Sequence, residues 1–316
     1  PAGAAYTLND STAGYGTINA NSTANCFTAT GDCYQVQVSA PASRPATHWD
    51  TTFKEAVTGG INKTWTLHVG DSFTDVPRTQ PFYQKIETVL HNGITSGCTP
   101  TTYCPTQNVS RGQMAIFIAK GIAGGGPNIP VSGFVGLSGY NCVSGGASAF
   151  TDILPTDIYC KHVHYIAAQN VTLGCNPNQY CPAGNVTRQE MAAFIAKATV
   201  APAGGSAIPS SYGPDPVTGF SYNCNGANIH FTDVPYNNPF CKHIHYLWAK
   251  GIIVGCPGNQ YCPTLDVGRD EMAKFLANAF RLLLSAAAYT LVQALRRRAL
   301  AGTELQKAQV ATIRLK

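Results

Sequence analysis

Phe73-Thr-Asp-Val76, Phe150-Thr-Asp-Ile153 and Phe231-Thr-Asp-Val234 open three copies of one stretch, which run over residues 73–120, 150–197 and 231–274. No gap is needed to align the copies. Each copy contains Gly-Cys, then Tyr-Cys-Pro, and then an Arg 38 positions after the opening Phe. The repeat periods of 77 and 81 residues exceed those of common solenoids. Each copy is therefore predicted to be a two-helix unit with a connector.

Apolar spacing places two short helices in every copy. In the first copy, Ile86, Val89 and Leu90 form one apolar face at i, i+3 and i+4. The second helix begins with a capping box in Ser110-Arg-Gly-Gln113 and again in Thr187-Arg-Gln-Glu190. The third copy has the weaker cap Gly268-Arg-Asp-Glu271. Each copy is predicted to be helix, tight loop, helix, with the connectors as surface loops rich in Gly, Pro, Ser and Asn.

The composition favours an extracellular protein and gives no support to nucleic-acid binding. Only 12% of the 316 residues are charged. The net charge of +5 comes from residues 281–316, which hold seven Lys/Arg and one Glu, so residues 1–280 have 14 basic against 15 acidic residues. No signal peptide is visible before the start at Pro1, so we expect a mature form or a fragment.

Composition shifts divide the chain into five predicted parts. Residues 1–70 carry alternating strand signals in Tyr34–Val38 and Thr64–Val69. We expect them to be the end of a β-sandwich, with a small cap on the following repeats as the alternative. The predicted parts are a β-rich segment 1–70, repeat one 71–123, connector and repeat two 124–199, connector and repeat three 200–280, and a basic helical tail 281–316.

The twelve cysteines indicate six disulfides in an oxidising compartment. One upstream Cys and one Cys at the start of the first helix occur together in copies two and three and are both absent from copy one, as expected of a bonded pair. The predicted pairs are Cys26–Cys33, Cys98–Cys104, Cys142–Cys160, Cys175–Cys181, Cys224–Cys241 and Cys256–Cys262. A zinc site is the alternative, because Cys160/His164 and Cys241/His245 stand at i, i+4. No metal or cofactor is predicted.

These motifs resemble the S-layer homology domain over residues 73–280. The resemblance rests on the Phe-Thr-Asp openings and on Val109-Ser-Arg-Gly-Gln113, Val186-Thr-Arg-Gln-Glu190 and Val267-Gly-Arg-Asp-Glu271. It implies a mainly α fold, in which three helix-loop-helix repeats form a pseudo-threefold helical bundle. It also implies anchoring to a cell-wall polysaccharide, often a pyruvylated one, in grooves between copies. The ligand Arg of the family motif is matched by Arg111, Arg188 and Arg269.

The residue chemistry agrees with an anionic sugar ligand. An Arg at the first turn of a capped helix is expected to face solvent beside free amides, where it could hold a carboxylate bidentately. A structural salt bridge is the equal alternative for these Arg residues. Asp75, Asp152 and Asp233 are candidates for orienting sugar hydroxyls, with capping of the first helix or of its preceding turn as the alternative. Gln113 and Gly268 depart from the family pattern and weaken two of the sites.

The tail 281–316 resembles a piece near the end of DDE-type insertion-sequence transposases. It includes no recognisable acidic triad, so no transposase chemistry is implied. A basic amphipathic helix on a membrane or nucleic acid is the alternative. Its apolar run of about fourteen residues is too short to span a bilayer.

The leading function is therefore a non-enzymatic, secreted, cell-surface anchor that binds wall polysaccharide. The runner-up is a surface-layer or filament component that assembles through protein–protein contacts. An enzyme is disfavoured, because the sequence contains no nucleophile elbow, no His-Glu-x-x-His and no phosphate loop.

Overall fold

The computed structural model describes residues 4–20, 22–39, 48–56, 62–226 and 228–279. The chain divides into two compact units, Pro1–Pro77 and Arg78–Lys316. The predicted helical tail 281–316 lies outside the described residues.

The first unit contains two antiparallel hairpins. Strand β1 (Ala5–Asp10) pairs with β2 (Gln35–Ser39), and β3 (His48–Glu55) pairs with β4 (Lys63–Gly70). A short helix, α1 (Cys26–Ala29), precedes β2. The alternation of half-buried and exposed residues in β2 follows the alternation of Val with Gln and Ser in the sequence.

The second unit contains two helices from each copy. They are α2 (Tyr83–His91), α3 (Arg111–Ala123), α4 (Cys160–Ala168), α5 (Arg188–Thr199), α6 (Cys241–Ala249) and α7 (residues 269–279). Ser110 and Gln113 form the capping box of α3, and the Glu190 carboxylate accepts hydrogen bonds from Thr187 N and Oγ1 at α5. These caps fix where α3 and α5 begin.

The second helices bury one apolar face each. Met114 and Phe117 of α3 are buried, as are the matching Met and Phe of α5 and α7. The first helices contribute Ile86 and Val89 and their counterparts. The core of the second unit therefore follows the i, i+3, i+4 pattern of the repeat.

Backbone hydrogen bonds join the three copies into a closed cycle just before the second helices. Val109 N donates to Val267 O at 2.9 Å, Val186 N donates to Val109 O at 2.9 Å, and Val267 N donates to Val186 O at 3.0 Å. Each copy therefore touches both of the others.

The connectors are not the plain loops that their composition suggests. The first connector forms the hairpin of β5 (Ser132–Val135) and β6 (Ser138–Asn141), and the second pairs β7 (Ser211–Tyr212) with β8 (Tyr222–Asn223). Single 3-10 turns at Gly126–Asn128 and Gly204–Ala207 precede them.

The prediction of a mainly α bundle is wrong. The structure is 29% helix and 18% strand, with several small antiparallel sheets, and is a mixed α/β fold. The sequence reasoning counted the Gly-rich connectors as loops, although Gly136, with φ of 59°, supplies the left-handed residue that a tight hairpin turn needs. In the part of the chain that the structure describes, no helix combines the length and apolarity required to cross a bilayer.

Candidate functional site

The three motif Arg residues stand at the first positions of α3, α5 and α7 and are buried. Their relative exposure is 7% for Arg111, 4% for Arg188 and 3% for Arg269. The expectation that they face solvent is wrong, because the loop of the neighbouring copy covers each helix start. Gly112 N, for example, donates to Pro182 O at 2.9 Å.

Each Arg forms two hydrogen bonds with the Tyr of the Tyr-Cys-Pro motif in the neighbouring copy, one in each direction. Arg188 Nε donates to the Tyr261 carbonyl at 2.8 Å, and the Tyr261 hydroxyl donates to the Arg188 carbonyl at 2.9 Å. The same two bonds join Arg111 with Tyr180 and Arg269 with Tyr103. Burial raises the pKa of all three phenols, so they remain neutral donors. The three pairs link the copies in the same cyclic order as the backbone bonds.

The Nη1 end of the guanidinium lies near the side chain three residues after the N-cap of the neighbouring copy's second helix. Arg188 Nη1 lies 2.8 Å from Glu271 Oε1, and Arg111 Nη1 lies 3.7 Å from Glu190 Oε1. Gln113 occupies the matching place for Arg269 and carries no charge. Arg111 and Arg188 therefore each form an ion pair, as the salt-bridge alternative predicts.

Asp152 and Asp233 hold the Tyr-Cys loops of copies two and three. Asp152 accepts from Tyr180 N and Cys181 N at 2.8 and 2.7 Å, and Asp233 accepts from Tyr261 N and Cys262 N at 2.7 Å each. They do not cap α4 or α6, whose N-caps have no side-chain hydrogen bond. Asp75 lies half-buried in a turn of the first unit.

Two open grooves lie between neighbouring copies and include the Arg side chains. Groove A has a volume of about 530 Å³ and is lined by residues 94–99, Gln113, Lys120, Ile158 and Arg269. Groove B has a volume of about 370 Å³ and is lined by residues 171–175, Glu190, Lys197, Phe240 and Arg111. Both grooves combine an Arg from one copy with a Lys in the last turn of another copy's second helix.

Buried histidines lie beside these lysines. His243, at the position that His162 has in copy two, is buried next to Lys197 and Lys242. Desolvation, followed by the charges of these lysines, lowers the pKa of His243 to about 4. Burial also lowers the pKa of Lys197 and, in groove A, of Lys120. The neutral His leaves Lys and Arg as the cations near the grooves.

Disulfides border the grooves and fasten the connectors. Cys98 and Cys104 line groove A, and Cys175 lines groove B. The six bonds in the structure are Cys26–Cys33, Cys98–Cys104, Cys142–Cys160, Cys175–Cys181, Cys224–Cys241 and Cys256–Cys262. The short loop disulfides hold the groove walls that the neighbouring Arg contacts.

Sequence reasoning missed the Tyr residues and the groove lysines. The threefold recurrence of Tyr before Cys-Pro was visible, but its pairing with Arg depends on which copy lies next to which. Lys120 and Lys197 occupy equivalent positions in the repeat, while Asn278 replaces Lys in copy three. The recurrence of Lys at this position in two of the three copies could have identified the groove lysines from the sequence.

Comparison with known families agrees with the motif analysis. The model of the S-layer homology domain matches residues 72–115, which include the opening Phe-Thr-Asp, the loop and the Arg motif of copy one. Residues 72–115 are therefore similar to the S-layer homology domain. This domain is associated with cell walls and surface layers and is itself non-catalytic.

The end of the chain matches a different family. The model of the transposase DDE domain, group 1, matches residues 263–316, which begin within copy three and include α7. Residues 263–316 are therefore similar to a part of a transposase. No curated protein matches the chain.

Proposed function

We propose that all three copies are S-layer homology repeats and that the second unit anchors the protein to a cell-wall polysaccharide at the cell surface. The observation that carries the proposal is the position of Arg111 and Arg269 in the walls of two open grooves between copies. Because each groove is built from different copies, binding requires the closed arrangement of the repeats.

The grooves suit an acidic polysaccharide. Groove A has two cationic and no acidic lining residues, Arg269 and Lys120, whereas groove B has Arg111 and Lys197 with Glu190. A carboxylate on a sugar, such as a pyruvate ketal, would be held by charge-assisted hydrogen bonds from these side chains. Phe240 in groove B provides an aromatic surface for a sugar ring. Asp152 and Asp233 act by fixing the loops of the groove wall.

The direct experiment is a pull-down of the oxidised full chain on purified cell walls, with and without chemical removal of their attached polysaccharide. We expect retention on intact walls and loss of retention on stripped walls. Equal retention on both wall preparations would contradict polysaccharide binding. Circular dichroism of the protein before the assay establishes that it is folded.

Self-assembly is the second candidate function, favoured by one observation. Phe134 is 71% exposed and Leu137 is fully exposed, and both belong to the β5–β6 hairpin. Exposed large apolar side chains at a hairpin tip suit protein–protein contact. Sedimentation of the purified chain without wall material separates the two functions, because only self-assembly predicts large particles there.

A further inference from the structure

A cleft in the first unit has no part in the anchoring site of the second unit. It has a volume of about 590 Å³ and is lined by residues of β1, of the loop that follows β1 and of the end of β3. Its lining includes three aromatic residues, Tyr15, Tyr34 and Phe53, together with Leu8 and Glu55. Small-molecule sites have volumes of roughly 300–1,000 Å³ and combine apolar walls with a few placed polar groups. The cleft therefore has the size and composition of a ligand site.

The strand register brings these groups together. Phe53 and Glu55 are two positions apart on β3 and therefore share one face of the β3–β4 hairpin. Trp65 of β4 is the cross-strand partner of Phe53 and lies on the same face. Tyr34 directly precedes β2, and its ring meets that of Phe53 edge-on with centroids 5.8 Å apart. The register thus places aromatic rings and a carboxylate around one cleft.

Hydrogen bonds hold the Glu55 carboxylate in place. Trp65 Nε1 donates to Oε2 at 2.6 Å, and the Tyr15 hydroxyl donates to Oε1 at 2.8 Å. Because Tyr15 has used its only hydroxyl hydrogen, the Tyr34 hydroxyl, 3.0 Å away, donates to the Tyr15 oxygen. The hydrogen bond from Trp65, followed by that from Tyr15, lowers the pKa of Glu55, which stays ionised at neutral pH. A carboxylate oxygen accepts two hydrogen bonds, so each Glu55 oxygen can accept one more.

These contacts define the chemistry of a fitting ligand. The oxygens of Glu55 and Tyr34 are hydrogen-bond acceptors, so the ligand must supply O–H donors, and the aromatic rings require an apolar face. The Glu55 carboxylate repels an anion. A cation is already present beside this group, because Lys63 Nζ lies 3.6 Å from the ring centroid of Trp65. A neutral sugar combines many hydroxyl donors with an apolar C–H face and carries no charge.

We propose that the cleft lined by Tyr15, Tyr34, Phe53 and Glu55 binds a neutral oligosaccharide. Sugar hydroxyls donate to the Glu55 carboxylate, and the C–H face of one sugar ring packs on the aromatic side chains. The carboxylate is fixed at both oxygens, and the Cys26–Cys33 disulfide ends at the residue before Tyr34. Little side-chain freedom is therefore lost on binding. This site differs from grooves A and B, which belong to the second unit and suit acidic sugars.

The same hydrogen bonds also have a structural role. Tyr15 lies in the loop between β1 and β2, and its bond to Glu55 of β3 connects the two hairpins of the first unit. If this role is the only one, the folded wild type retains no neutral sugar, and substitutions in the cleft change stability alone. Binding of neutral glycans therefore separates the two interpretations.

The test applies the labelled, oxidised full chain to a printed array of neutral, acidic and amino-sugar oligosaccharides. We expect retention on neutral members of the array through the cleft. Retention on acidic members reports on grooves A and B, so failure of the anchoring function and failure of the cleft proposal give different results. Tyr34→Ala and Glu55→Gln should each weaken retention on the neutral members about tenfold or more, the size typical of a lost contact with a charged group or an aromatic ring.

Phe27→Ala is the matched control, because Phe27 is an aromatic residue of the same unit that is 82% exposed and does not line the cleft. Its retention on neutral members should equal that of wild type. Glu55→Gln keeps the size of the side chain and provides the second variant if circular dichroism shows that Tyr34→Ala does not fold. Absence of neutral-glycan retention by the wild type, or equal retention by wild type, Tyr34→Ala and Glu55→Gln, would overturn the proposal. So would an equal loss in Phe27→Ala.

Discussion

At the residue scale, Arg188 connects two copies with its backbone and its side chain. Its Nε donates a hydrogen bond to the Tyr261 carbonyl, and its Nη1 donates to the Glu271 carboxylate. Its own carbonyl accepts a hydrogen bond from the Tyr261 hydroxyl. The Arg of the family motif thus contributes to the structure whether or not it contacts a glycan. Loss of wall binding after an Arg→Ala substitution would not distinguish a damaged groove from a damaged fold.

Arg188→Ala is expected to lower the free energy of unfolding by about 3 kcal/mol. The substitution leaves the buried Tyr261 carbonyl without its donor and removes the ion pair with Glu271. Urea unfolding of the oxidised protein measures the change. Arg188→Lys, which keeps the charge but not the Nε donor, should recover part of the loss. A change below about 1 kcal/mol in Arg188→Ala would contradict the structural role.

His243 is predicted to make the protein sensitive to mild acid. Its pKa is about 4 in the fold, below the ordinary value of 6.5, so between these values the unfolded chain binds a proton that the folded chain does not. Stability is therefore lost as pH falls from 6.5 towards 4. Between pH 7 and pH 5 this one residue should cost about 2 kcal/mol.

The measurement compares urea unfolding at pH 7 and pH 5 for wild type and His243→Leu. The structure gives no hydrogen-bond partner to either ring nitrogen of His243 among the described residues. His243→Leu should therefore leave the free energy of unfolding at pH 7 nearly unchanged. Its decrease in the free energy of unfolding between pH 7 and pH 5 should be about 2 kcal/mol smaller than that of wild type. If His243→Leu loses as much stability between pH 7 and pH 5 as wild type does, the acid sensitivity does not come from His243 and the prediction is contradicted.

At the element scale, the loop between the two helices of a copy has a conformation that only Gly can supply. Gly174 has φ of +95°, and a Cβ on it would lie 2.2 Å from Gln179 O. Gly255 would meet Gln260 O at 2.1 Å in the same way. The loop also carries the disulfide and the Tyr that pairs with Arg, so its shape sets the groove wall.

Gly174→Ala is expected to lower the free energy of unfolding by about 2–4 kcal/mol, because both the left-handed φ and the contact with backbone oppose a side chain. Gly136→Ala is the matched control. Gly136 has φ of 59° but nothing within 4 Å of a built Cβ, so its cost should stay near 1 kcal/mol. Thermal unfolding of both variants tests the prediction, and equal losses would contradict it.

The sequence predicted the helices better than the connectors. Capping boxes at Ser110 and Thr187 and the spacing of Met114 and Phe117 depend on neighbours within one turn, so they were readable locally. The β5–β6 hairpin was missed because Gly-rich composition conceals a short strand pair. The burial of the Arg residues was missed because it depends on the loop of another copy.

At the scale of the whole molecule, each of the three repeats contacts the other two, so that the contacts form a closed cycle. The Arg–Tyr pairs and the backbone bonds between Val109, Val186 and Val267 each run once around the three copies. Groove A combines residues of all three copies, namely Thr95, Ile158 and Arg269. A single copy should therefore lack a complete groove. The family resemblance identified the Arg positions, but only the arrangement of copies shows which loop each Arg meets.

The measurement that tests the central claim most directly is calorimetric titration of purified wall polysaccharide into the oxidised full chain. The key variant is Lys120→Gln/Lys197→Gln, because these groove lysines can be changed without breaking the Arg–Tyr pairs. Lys54→Gln/Lys63→Gln in the first unit makes the same change in net charge without replacing a residue that lines groove A or B. We predict saturable binding that weakens with salt, is reduced about tenfold or more by the groove pair and is unchanged by the control pair. Equal binding by the two folded variants would contradict the account.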